Sequence, residues 1–157
     1  VYGENHSRVA SVYNDIGEIY SVQGDDFKAL DYFKKSLKIV LSVYGENHSQ
    51  VSSIYDHIGE IYFAQKDYSK ALYYFEESLK IRLSLFGENH PEVALSYYSI
   101  GSLYIIQGDK SKALNYYEKS LKIRLSVYGE NHPLTKEIMD LINVANSKVL
   151  QSPETTK

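Results

Sequence analysis

Cysteine and tryptophan are both missing from the 157 residues, proline occurs three times and methionine once. Without cysteine there can be no disulfide framework and no thiolate metal site, and nothing marks an oxidising compartment, so a cytoplasmic setting is the default expectation. No apolar run approaches the roughly 18 residues of a membrane-spanning helix, and no charged-then-apolar leader opens the chain. A formal net charge of −3 gives no general attraction to nucleic acid or to an anionic membrane surface. What remains, 43% hydrophobic and 24% charged residues, is ordinary globular composition that can support a packed core.

Repetition dominates what is present. VYGENH at residues 1–6 returns as VYGENH at 43–48, LFGENH at 85–90 and VYGENH at 127–132, always 42 residues on. A period of 20–50 residues means that one supersecondary unit stacks on copies of itself, because no single copy buries its apolar face alone. The expected units are repeat 1 at 1–42, repeat 2 at 43–84, repeat 3 at 85–126, a C-terminal capping helix at 127–150 and a frayed tail at 151–157. The first box begins where other copies follow a helix, which suggests a segment of a longer array.

Within the first copy Val9, Tyr13, Ile16, Gly17 and Tyr20 fall on one helical stripe. The spacing predicts helix A over about 7–22, a Gln23-Gly24-Asp25 turn, and helix B over about 26–42. Transferred by the period, helices are expected at 49–64, 67–84, 91–106, 109–126 and 133–150. Gly45 should stop helix B, with Asn47 or His48 capping the next helix. Pro91 and Pro133 suit a first helical position, where a backbone N–H would be unpaired in any case. Asn143 and Asn146 make the last helix polar on its outer face, as a terminal cap requires.

The small and aromatic residues then become diagnostic. Tyr13, Ile16, Gly17, Tyr20, Gly24, Ala29, Phe33 and Ser36, with their counterparts in the next two copies, resemble the tetratricopeptide repeat pattern, Lys66 alone replacing the turn glycine. The 42-residue form is similar to the repeats of kinesin light chain. That resemblance implies an all-α, right-handed superhelical solenoid of about seven helices, in which helix A lines a concave groove and helix B the convex back. It also implies a non-catalytic scaffold for protein–protein interaction.

Chemistry finds less support than architecture. His6, His48, His90 and His132 are one residue of successive copies, expected a repeat apart and read as packing or capping, since zinc would need three or four ligands converging at bond distance. No phosphate loop, nucleophile elbow, HExxH or CxxC pattern occurs. No catalytic residue, metal or cofactor is therefore expected. The sixteen tyrosines read as repeat core, not as base-stacking platforms.

Charge separates the helices. Helix A segments carry Arg8 as their one basic residue beside Asp15, Glu18, Asp56, Glu60 and Glu92, whereas Lys34, Lys35, Lys38, Lys70, Lys80, Arg82, Lys112, Lys119, Lys122 and Arg124 lie on helix B. The groove is expected to be acidic and aromatic, the back basic. By the resemblance, the peptide-binding positions are Asn14, Glu18, Asp56, His57, Glu60, Phe63, Tyr98, Ser102, Ile105 and Ile106. His57 reads either as a solvated helix-face residue or as a pH-sensitive ligand contact. Relatives hold a peptide backbone with an Asn-Asn pair, of which only Asn14 remains, and the basic clamp for acidic C-terminal peptides is absent. The expected partner is a protein or peptide segment with basic and apolar side chains, not nucleic acid or membrane. The alternative is a structural or self-associating repeat segment of a longer array, and the chain is expected to be a monomer or to associate end to end.

Overall fold

A computed structural model describes the backbone of residues 2–147 and the side chains from residue 6 on. The end of the last helix expected at 150 and the tail at 151–157 lie outside the described residues. Among them are seven helices: α1 (Tyr2–Val22), α2 (Asp26–Tyr44), α3 (Ser49–Ala64), α4 (Tyr68–Phe86), α5 (Pro91–Ile106), α6 (Lys110–Tyr128) and α7 (Pro133–Ser147). None is long and apolar enough to cross a membrane. Two compact units result, residues 1–87 and residues from 88 on. In the first, α1 packs on α2, α2 on α3 and α3 on α4; in the second, α5 packs on α6 and α6 on α7.

Local signals explain the boundaries. Asp25, Asp67 and Asp109 cap α2, α4 and α6, each accepting a backbone N–H three residues on. His48 and His90 cap α3 and α5 through Nδ1, and His132 accepts from the Leu134 N–H in the same way, all at 3.2 Å. His48, His90 and His132 are thus joints, and among the described residues no three His, Asp or Glu side chains form a metal-binding group. Helix B runs two residues further than expected, to Tyr44, Phe86 and Tyr128, because the box glycine stops it. Gly45, at φ +79°, donates its N–H to the Leu41 carbonyl.

The first copy differs. Its box is helical, so α1 begins at Tyr2 instead of near Ser7 and His6 lies inside the helix instead of capping it.

Within each pair, a helix A glycine lies against a helix B ring. A Cβ on Gly17, Gly59 or Gly101 would stand 2.7 Å from the ring of Phe33, Phe75 or Tyr117. Ser36 and Ser120 donate across the same contact to the Ala10 and Ala94 carbonyls, both at 2.7 Å. The tyrosines form a repeated triad beside it: Tyr13 and Tyr20 on Tyr32, Tyr55 and Tyr62 on Tyr74, Tyr97 and Tyr104 on Tyr116, at 5.6–6.0 Å between rings.

Two substitutions should move stability in opposite directions. Gly59→Ala gains up to ~1 kcal/mol of helix propensity but forces the Phe75 ring out of its seat, an overpacking cost of about 1–3 kcal/mol. A net loss is expected. Lys66 holds the turn at φ +62° where its counterparts are Gly24 and Gly108, so Lys66→Gly should stabilise by about 1 kcal/mol. Urea denaturation of both variants checks the pair, and a stabilised Gly59→Ala would refute the close-approach argument.

Candidate functional site

The predicted groove positions divide between the two units. In the first, Asn14 and Glu18 are one turn apart on α1, and the Asn14 amide donates from Nδ2 to Glu18 Oε1 at 2.6 Å. The same carboxylate oxygen lies 3.3 Å from His57 Nε2 on α3, so one chain of polar contacts links the two helices. The other ring nitrogen of His57 is 3.9 Å from Glu60 Oε2. His57 itself lies flat on Phe33, with ring centroids 5.1 Å apart and planes 5° apart. It is therefore neither freely solvated nor detached from the core. Phe63 is half-buried, edge-on to Tyr68 at 6.0 Å.

Asp56 departs from the expectation of an acidic row. Its carboxylate meets Arg82 at 2.6 Å, with side chains only 18% and 4% exposed. Burial pushes the Asp56 carboxyl up to about 6; Arg82, the Ser78 hydroxyl and His57 pull the other way, and Glu60 adds to the rise. The charge that helix A shows to solvent near this point comes from Asp15, Glu18 and Glu60.

Arg82 and Arg124 require the second correction. They do not join the basic back but are buried at 4% exposure, while Lys34, Lys35, Lys38, Lys70, Lys80, Lys112, Lys119 and Lys122 are exposed. The signal was present in the register: both arginines occupy the position of Val40, on the apolar stripe of the first helix B. A delocalised guanidinium tolerates such burial better than an ammonium does when acceptors surround it.

In the second unit, Tyr98 donates its hydroxyl to Glu137 at 3.1 Å, and its ring faces the Arg124 guanidinium at 5.0 Å. Burial and the Glu137 carboxylate raise the phenol above its ordinary range. Ser102 shares a hydrogen bond with Tyr117 at 3.1 Å. Ile105 and Ile106 are exposed, and Ile105 lines a cavity of about 270 Å³ with Tyr117, Leu141 and Val144. Tyr98 and Ser102 thus have structural partners, whereas Ile105 and Ile106 offer apolar surface. Nothing in either set pairs a nucleophile with a base.

The Asp56 environment sets a pH dependence. A carboxyl raised from 3.8 in the unfolded chain to about 6 when folded binds its proton more tightly in the native state. This contribution is fully present below pH 4 and fades as pH rises through 6, a change of about 3 kcal/mol. Carboxyl NMR should show Asp56 titrating near 6, and Asp56→Asn should flatten the denaturation free energy between pH 4 and 6. An unchanged slope would contradict the assignment.

The tetratricopeptide repeat family model matches residues 8–84 and again 52–126. Among curated proteins none matches the sequence. A solved kinesin-light-chain-type protein from Podosopora anserina, with nearly identical TPR-like repeats, superposes at TM-score 0.77 and 17% identity, over 93% of this chain and 70% of that one. BtubC (BKLC) from P. vanneervenii superposes at 0.74 and 20% identity, over 94% and 67%. The first TPR of Spaghetti (RPAP3), bound to the HSP90 peptide SRMEEVD, gives 0.65 at 16% identity, over 92% and 96%. At such identities the likeness establishes the fold, an all-α TPR-like solenoid. With the helical hairpins and the family match over most of its length, the chain belongs to the tetratricopeptide repeat family.

Proposed function

We propose that the chain is a non-catalytic protein-interaction module that takes a peptide segment on the faces of its helices A, in units of 42 residues. The observation that carries this reading is the row of polar contacts through Asn14, Glu18, His57 and Glu60 on α1 and α3, with a hydrogen bond from Asn14 to Glu18 and His57 lying 3.3 Å from Glu18 and 3.9 Å from Glu60. It holds exposed carboxylates in fixed positions, with Phe63 on the same helix. A TPR domain bound to the peptide SRMEEVD supports the mode of binding, not its sequence. Basic side chains suit Glu18 and Glu60; in the second unit, exposed Ile105 and Ile106 suit apolar ones. Asp56 drops out as a direct contact because Arg82 occupies its carboxylate. With no lysine or arginine exposed on these faces beyond Arg8, nucleic acid and anionic membrane are poor partners, and a cytoplasmic setting fits the lack of cysteine.

A second reading is end-to-end stacking. Val9, Val12 and Ile19 of α1 are 42%, 53% and 56% exposed, whereas their counterparts on α3, Val51, Ile54 and Ile61, are at most 2% exposed. Packing of α2 beside α3 accounts for the difference, and α1 presents the same apolar pattern uncovered.

Peptide arrays test the first reading. Glu18→Lys with Glu60→Lys should weaken binding of lysine- and arginine-bearing peptides about tenfold, or ~1.4 kcal/mol, and reduce its salt dependence; Ile106→Ser should weaken apolar sequences. Binding indifferent to all three changes rules this groove out. Light scattering tests the second, since a mass that stays monomeric with rising concentration excludes self-stacking.

A further inference from the structure

The same position of the 42-residue unit is valine in the first copy and arginine in the next two: Val40, Arg82 and Arg124. Both arginines are buried side chains with built surroundings. Arg82 meets Asp56 at 2.6 Å. Arg124 donates to the Leu134 carbonyl at 2.6 Å, lies 3.5 Å from Glu137 and faces the Tyr98 ring at 5.0 Å. Moved back by two periods, Leu134, Glu137 and Tyr98 become Gln50, Ser53 and Asn14; Asp56 moved back by one period is also Asn14.

Those three residues line one cavity of about 130 Å³, together with Val40, Asp15 and Ser36. The first copy therefore has a cavity at the equivalent positions, lined by neutral amide and hydroxyl groups where the sister copies have a carboxylate or a ring, and lacks the arginine. Its walls are also left with unmet hydrogen-bonding capacity. Asn14 Oδ1 and Gln50 Oε1 are buried acceptors that no protein group among the described residues reaches as a donor. The Asn14 amide cannot turn to relieve this, because its Nδ2 is committed to Glu18 at 2.6 Å.

We propose that this cavity is a receptor for a guanidinium supplied from outside, the arginine side chain of a bound peptide. A guanidinium brings five donors in a planar fork, which can reach two amide oxygens and the Asp15 carboxylate together. An ammonium is a compact, strongly hydrated charge that satisfies such spread acceptors less well. The two sister copies supply the internal precedent, since each buries a guanidinium at the equivalent place. The groove reading above supplies only the source of the arginine; the receptor itself can be tested without any peptide.

The test is an NMR titration of the full chain with N-acetyl-arginine amide, with N-acetyl-citrulline amide as the neutral near-isostere and N-acetyl-lysine amide as the other cation. Saturable shifts of the Asn14 and Gln50 side-chain NH₂ signals are expected with the arginine compound, at least tenfold weaker affinity with the other two. Val40→Arg restores the sister residue and should abolish the shifts while leaving a dispersed, folded spectrum. If that variant does not fold, Gln50→Leu carries the same expectation. Absence of saturable arginine shifts, equal response to citrulline as from a merely water-filled cavity, or shifts that persist in these variants would each overturn the proposal. Arginine shifts without peptide binding would retire the groove and leave the receptor standing.

Discussion

Everything in the repeat follows from how closely helix A can approach helix B. The approach is set where Gly17, Gly59 and Gly101 face Phe33, Phe75 and Tyr117, a gap that leaves no room for a Cβ. At that distance the Ser36 and Ser120 hydroxyls reach the carbonyls of helix A, which binds the pair through a buried polar contact as well as through packing. The same crossing fixes which helix B residues lie beneath the helix A face. Position 40 of the unit is one of them, so its occupant decides whether the face above is anchored from within or left open.

Periodicity made most of the fold legible. Caps, turn residues and stripes repeat with a single spacing, and Asp25, His48 and Gly45 take the roles their types suggest. Two features were hidden for physical reasons. Arg82 and Arg124 were assigned to the back because charge ordinarily seeks water, yet a long apolar stem and a partner such as Asp56 let a guanidinium sit inside. The register with Val40 outranked the charge. The helical first box was hidden because its sequence is identical to the copy at 43–48, where the chain leaves α2 at Gly45.

Sequence proposes the groove as a set of positions, and burial and pairing then decide which of their charges reach solvent. Asp56 becomes part of the interior, where losing its partner would leave a buried charge uncompensated at a cost of about 3–5 kcal/mol. Glu18 and Glu60 keep their charge at the surface, tied to His57 between them. A carboxylate with a fixed neighbour loses less conformational freedom when a ligand arrives than a solvated one does.

The three copies solve one packing problem with different pairs: Asn14 above Val40, Asp56 with Arg82, Tyr98 with Arg124. Exchanges of this kind are cheap in stability, because the attraction of a buried ion pair roughly offsets the desolvation of its members, and an apolar replacement of similar volume is often neutral. A position nearly neutral for folding is free to vary in what it exposes. Repetition fixes the backbone through the glycine–ring contact, and the variable pair beneath helix A then sets the chemistry of each segment of the face. In the first copy that choice leaves acceptors without protein donors among the described residues, and unmet hydrogen-bonding capacity held in a rigid frame is what a ligand can use most effectively.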